Sequence, residues 1–180
     1  MENEKIVLGS GKIYCVEYAG SIPEDSVIET EANRLGYVSG GATLEYAPTF
    51  YEAKDDLGYV SKTILTEEEA KLNSGIMTFN GDTLTKLCAT GRVTETTEKR
   101  TVLIGGAGNQ DGKSYIIRFV HEDAVDGDIR VTIVGRNEAG FSLSFAKDKE
   151  TVIDAEFKAL AKIDTDGTLI KYEETIPTNA

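Results

Sequence analysis

The sequence predicts a mainly β protein: a β-sandwich or barrel with one short packed α-helix, at about 83–89, and a long protruding β-hairpin, at about 37–66. Three observations lead there. Short runs rich in β-branched and aromatic residues recur along the chain, separated by turn signals such as Asp126-Gly127. Only one segment has the apolar spacing of a good packed helix, and no strand–helix alternation points to a parallel sheet. The chain has 180 residues, which suits one domain (1–180) with a sizeable core.

Taken in order, 12–18 (KIYCVEY) predicts a first strand. Pro23 after Ile22 favours extended or turn backbone, and 26–33 is expected to be loop or a weak helical turn. Segments 37–46 and 59–66 pair as the arms of the long hairpin. Their connection, 47–58, is aromatic and polar with no clean period and is expected to be an extended loop. Glu67, Glu68 and Glu69 form a solvated charge run, because three adjacent acids cannot converge on one ion. Segment 71–79 predicts a strand with Gly75 as a bulge.

In the helix, Leu84, Leu87 and Cys88 fall at i, i+3 and i+4, with Asp82 as the expected N-cap. Gly91 suits the left-handed position after its last turn. From there the chain reads as β: 92–97 and 101–104, flanking Glu98, Lys99 and Arg100, and then 114–122, apolar on both faces and therefore central. Ile129, Val131 and Ile133 share one side of 128–134. Phe141, Leu143 and Phe145 alternate with serines over 140–145, which predicts a half-buried strand. Over 151–160 a strand face of Ile153, Ala155, Phe157 and Ala159 is longer than the competing helical stripe. A turn at 164–167 precedes a last strand at 168–172, and 173–180 is expected to be a flexible tail that orders only against a neighbour.

Charged residues make up 28% and hydrophobic residues 40% of the chain, as in a globular domain. The net charge of −12 argues against binding duplex DNA through its phosphates and against an anionic membrane surface. The same charge suits solubility or, lining a channel, lets DNA pass without adhering. The start, MENEKIVLGSG, lacks the basic and long apolar regions of an export signal, and no apolar run reaches membrane-span length. Cys15 and Cys88 are expected to be reduced, buried thiols. His121 has no Cys or His companion at zinc-ligand spacing.

No catalytic constellation emerges, and neither a metal nor a cofactor is expected. AGNQDGKS, at 107–114, matches a relaxed phosphate-loop pattern, but YIIRFV follows where a helix would have to start. Asp164-Thr165-Asp166-Gly167 resembles the opening of a calcium loop, but Thr168 and Thr175 stand where ligands are needed, so a simple turn is preferred.

Segment 28–62 holds Tyr37, Tyr46, Tyr51 and Tyr59, four of the eight tyrosines, with Phe50, Pro48, Asp55 and Asp56. Rings beside acids on irregular backbone suit contact with a partner. This region, ETEANRLGYVSGGATLEYAPTFYEAKDDLG, followed by SGIMTFNGDTLTKLCATGRV and GGAGNQDGKSYIIRFVHE, resembles the major tail (tail tube) proteins of long-tailed bacteriophages. The resemblance extends to the inner-tube proteins of contractile tails and of type VI secretion. It implies a structural, non-enzymatic virion protein that is made in the host cytoplasm and self-assembles into stacked hexameric rings. DNA would pass through the lumen during ejection, and tape-measure, tail-tip and terminator proteins would be partners. In that family the long early hairpin reaches the neighbouring ring, which makes Tyr46, Pro48, Phe50, Tyr51, Asp55, Asp56, Leu57 and Tyr59 the candidate ring-stacking contacts. The alternative is a β-sandwich ligand- or carbohydrate-binding module, against which stands the absence of any Trp.

Overall fold

A computed structural model describes residues 7–176. Among these residues ten strands form: β1 (Lys12–Glu17), β2 (Arg34–Gly36), β3 (Val38–Lys54), β4 (Ser61–Ile76), β5 (Arg92–Glu95), β6 (Arg100–Leu103), β7 (Tyr115–His121), β8 (Ile129–Asn137), β9 (Ile153–Ala159) and β10 (Lys171–Glu174). Two short helices, α1 (Asp25–Ile28) and α2 (Gly81–Lys86), accompany them. The protein is mainly β, as the alternation patterns predict.

The large sheet runs in the order β2-β1-β7-β8-β9-β4-β3, with β10 added to β8; every pair is antiparallel. Its first and last strands, β2 and β3, are separated in the chain by Tyr37 alone, so the sheet must curl back on itself. The seam is tight: Met77 N donates to the Tyr37 carbonyl at 2.8 Å, and Tyr37 N donates to Thr78 Oγ1 at 2.8 Å. A Cβ at Gly36 would lie 2.2 Å from the Thr78 carbonyl oxygen, so only glycine lets the strands close there. The result is barrel-like. β5 and β6 form a separate two-stranded hairpin beside it.

The core fills the inside of the curl. Ile13, Ile117, Ile133, Ile153 and Phe157 point inward from neighbouring strands and are fully buried. A second cluster lies on the outer face of β1, β7 and β8, where Ile28 of α1 covers Tyr14, Ile116, Val120 and Val134. β7 is therefore apolar on both faces, as expected of a central strand. Segment 26–33 contains most of α1 and a further 3-10 turn at Glu31–Asn33.

The predicted helix forms slightly earlier than 83–89, and its cap is Asn80 rather than Asp82. Asn80 Oδ1 accepts from Asp82 N at 2.9 Å and Thr83 N at 3.1 Å, while Thr83 Oγ1 accepts from Asn80 N at 3.3 Å. Leu84 and Leu87 pack on the core as the stripe requires. Gly91 is not left-handed; a Cβ there would sit 2.8 Å from Cys88 Sγ, so close packing explains the glycine.

Three further expectations are corrected. Segment 140–145 forms no strand. Phe141 and Leu143 do pack against the core, but no described strand lies alongside to pair with their backbone, and Phe145 is exposed. Alternation there records one-sided burial, which a lone extended segment satisfies as well as a ladder does. The tail expected at 173–180 begins as structure, because Glu173 and Glu174 belong to β10; residues 177–180 lie outside the described residues. The supposed loop at 47–58 is strand as far as Lys54, and the separately predicted segments 59–66 and 71–79 are one strand, β4, up to Ile76. Two-sided exposure had removed the period by which a strand is recognised.

Candidate functional site

β3 and β4 are the two longest strands, 17 and 16 residues, and their far halves leave the barrel. β9 pairs with β4 only over 71–76; beyond Lys71, β4 pairs with β3 alone. From Tyr46 to Lys54 this two-stranded arm is roughly 27 Å long at about 3.3 Å per residue. A lone hairpin of this kind is marginal in water.

The register assigns its faces. Leu44 pairs with Leu72, Tyr46 with Ala70, Pro48 with Glu68 and Phe50 with Leu65. Leu72 and Ala70 belong to the core, so this face is a continuation of the barrel interior. Outside the barrel it loses its cover: Tyr46 is 51%, Phe50 60% and Leu65 45% exposed. The opposite face starts with Glu45 and Lys71, then Ala47 and Glu69, then Thr49 and Glu67. At its base Glu69 bridges Lys71 at 3.2 Å and Lys158 at 3.0 Å, which holds its carboxyl below the ordinary range through hydrogen bonds from Lys158 and then Lys71. Farther out, Tyr51 pairs with Ile64 on this same face.

Two irregularities shape the arm. Gly40 and Gly41, both at φ +79, form a bulge between Ser39 and Ala42 at the root. A second register shift, between Thr49 and Phe50, leaves Thr66 without an opposite residue.

Tyr46, Pro48 and Phe50 thus share the core-side face, Tyr51 lies on the other, and Leu57 and Tyr59 are exposed at the tip. Asp55 also holds the tip together. Its Oδ1 accepts from Val60 N at 2.7 Å and its Oδ2 from Leu57 N at 3.3 Å, so its carboxylate closes the turn. Asp56 beside it is exposed. Leu44, Val60, Ile64 and Leu65 belong to the same exposed surface and were not among the sequence candidates. Cross-strand register was the missing signal.

The other candidate chemistry resolves into structure. Lys113 of the phosphate-loop match is paired with Glu17 at 2.6 Å, and the chain enters β7 directly, with no helix to face an anion. Asp164 Oδ1 accepts from Asp166 N and Thr168 N, and its Oδ2 from Thr168 Oγ1 at 2.6 Å; the Thr168 hydrogen bond lowers its pKa. That is a turn carboxylate. His121 is buried, its Nδ1 2.8 Å from the Ser10 carbonyl. Both cysteines are free, and burial pushes the Cys15 thiol up to about 12, away from reactivity. Among the described residues no three His, Cys, Asp or Glu side chains gather as a metal site, and no helix is long and apolar enough to cross a membrane.

No known family model and no curated protein matches this chain.

Proposed function

We propose that the protein is a structural subunit that polymerises: copies close into hexameric rings, and the rings stack into a hollow phage-type tail tube through which DNA passes. One observation carries this reading. The core-side face carries Tyr46, Pro48, Phe50 and Leu65 out of the barrel, with Glu68 among them bonded by the Tyr46 hydroxyl, onto an arm that nothing in the described chain covers. In a monomer such a surface is a liability, whereas between copies it is an interface. The likeness of three sequence blocks to tail tube proteins supplies the identity of the assembly, and the −12 charge suits a conduit that DNA slides through. The virion is then its location, and tape-measure, tail-tip and terminator proteins its partners.

Shortening the arm tests the proposal. Replacing 50–65 by an Asn-Gly turn should leave a folded barrel that sediments as a monomer at every concentration. Tube formation by the shortened protein equal to that of the full chain would refute the role given to the arm.

A further inference from the structure

Arg118 is the largest fully buried side chain among the described residues, and its guanidinium is only partly used. That group carries five N–H donors in a planar fork. Nε donates to Thr132 Oγ1 at 2.9 Å, and Nη1 donates to Asp25 and, at 3.1 Å, to Glu29 Oε1. Nη2 is buried and donates to no atom among the described residues. Glu173 Oε2 faces it at 3.9 Å, and that oxygen is buried without a donor of its own. A charge-assisted N–H···O contact closes to about 2.8 Å, so the two groups stand about 1 Å short of a bond.

The carboxylates around this one cation come from distant parts of the chain. Asp25 lies in α1 and Glu29 just after it, whereas Glu173 lies in β10. Each element is weakly held by itself. α1 is a single turn with no side-chain cap and buries only Ile28. β10 is four residues long and pairs with β8 alone, from Lys171 opposite Thr132 to Glu174 opposite Ile129. Segment 160–170 before it contains no strand. Other cations do not replace Arg118. Arg130 lies opposite Glu173 in the ladder, but it bonds Glu29 and Asp128. Lys171 reaches Glu173 Oε1 at 2.9 Å and leaves Oε2 to Arg118.

We infer that Arg118 couples the C-terminal strand to α1, so that β10 acts as a strap whose docking tightens α1 and whose release loosens it. A guanidinium is rigid and planar, so drawing Glu173 onto Nη2 fixes the plane in which Nη1 meets Asp25 and Glu29. Withdrawing Glu173 leaves a buried cation with one carboxylate fewer and frees the fork to swing. Coupling of this kind is reciprocal, so loss of the α1 carboxylate weakens β10 by the same factor. A partner that takes hold of β10 thereby loosens the cover over Tyr14, Ile116, Val120 and Val134. The device lies within one chain and stands apart from the tube reading.

Amide hydrogen exchange read by NMR tests the coupling on four full-length proteins: the wild type, Glu173→Gln, Asp25→Asn and Glu174→Gln. The amide variants keep the side-chain shape and remove the charge. Glu174 is exposed on the same strand, opposite Ile129, and controls for the loss of one carboxylate from β10. The reporters are the Val27 and Glu29 amides in α1 and the Thr175 amide, which donates to the Asp128 carbonyl just beyond β10; the Thr96 amide at the β5–β6 turn is the reference. Glu173→Gln should speed exchange at Val27 and Glu29 about fivefold or more, and Asp25→Asn should speed Thr175 by the same factor, with Thr96 unchanged. Glu174→Gln should leave Val27 and Glu29 as in the wild type. Unchanged α1 exchange in Glu173→Gln, or an equal effect from Glu174→Gln, overturns the inference. Should a variant fail to fold, relaxation dispersion on the wild type decides: one rate shared by 27–29 and 171–175 is expected, and the absence of a shared rate overturns the coupling.

Discussion

Arg118, 0% exposed at the centre of β7, is ion-paired through Nη1 with Asp25 on the single turn of helix that crosses over it. Glu29, just past that turn, bonds the same Nη1 at 3.1 Å and also holds Arg130, through Nε at 2.8 Å and Nη2 at 3.2 Å. Thr132 Oγ1 accepts from Arg118 Nε at 2.9 Å. α1 has no side-chain cap and buries only Ile28, so these ion pairs do much of the work of fastening it over the second core.

Glu29→Gln should therefore destabilise the monomer by about 3 kcal/mol, the lower end of what leaving a buried cation under-compensated costs. Urea denaturation of the purified barrel measures it. A change below about 0.5 kcal/mol would mean that the apolar cover alone holds α1.

The hydrogen bond from Arg118 lowers the pKa of Asp25 from its ordinary 3.8. A carboxyl depressed on folding adds stability that is complete above its unfolded value and disappears as pH falls through the lower, folded one. Stability of the wild type should fall below about pH 4, and Asp25→Asn should flatten that limb. Melting temperature against pH for the two proteins decides it; superimposed curves would remove Asp25 from the account.

Phe157 and Phe50 should behave in opposite ways. Phe157 is fully buried, and Phe157→Ala should cost the monomer about 3–5 kcal/mol. Phe50 is exposed, so Phe50→Ser should leave monomer stability within about 0.5 kcal/mol yet impair polymerisation. Monomer melts and pelleting assays, run in parallel, separate the two effects.

Asn80→Ala removes the acceptor for two free helix N–H groups and should cost about 1 kcal/mol, whereas Asp82→Ala, which loses one exposed pair with Arg100, should cost less. Equal losses would return the cap to Asp82.

What could be read in the sequence follows what burial imprints on it. β7 was legible because Ile116, Ile117 and Val120 are apolar on both sides, and β9 because Ile153, Ala155, Phe157 and Ala159 alternate with polar residues. The arm left no such imprint. Its faces are open to solvent, so Pro48, Thr49, Phe50, Tyr51 and Glu52 show no period even though each of them has a partner on β4. Phe141 and Leu143 left the imprint without the ladder. The stripe of Leu84 and Leu87 made the helix legible, but its cap was misplaced at Asp82, because Asp and Asn are both good caps and only the backbone shows that Asn80 accepts from the free N–H groups. At Tyr37 the chain passes from β2, paired with β1, into β3, paired with β4, and this closure joins the two ends of the sheet order, which local pattern does not encode. Within the candidate surface the aromatic residues stood out by type, but Ile64 and Leu65 joined it only through register with Tyr51 and Phe50.

Polymerisation into a tube can be seen directly by negative-stain electron microscopy of the purified protein at high concentration, with light-scattering mass and tail-tip seeds in a parallel sample. The account predicts six-membered rings or hollow tubes, in the seeded sample if not in the unseeded one. A monomer mass and empty fields in both would contradict it.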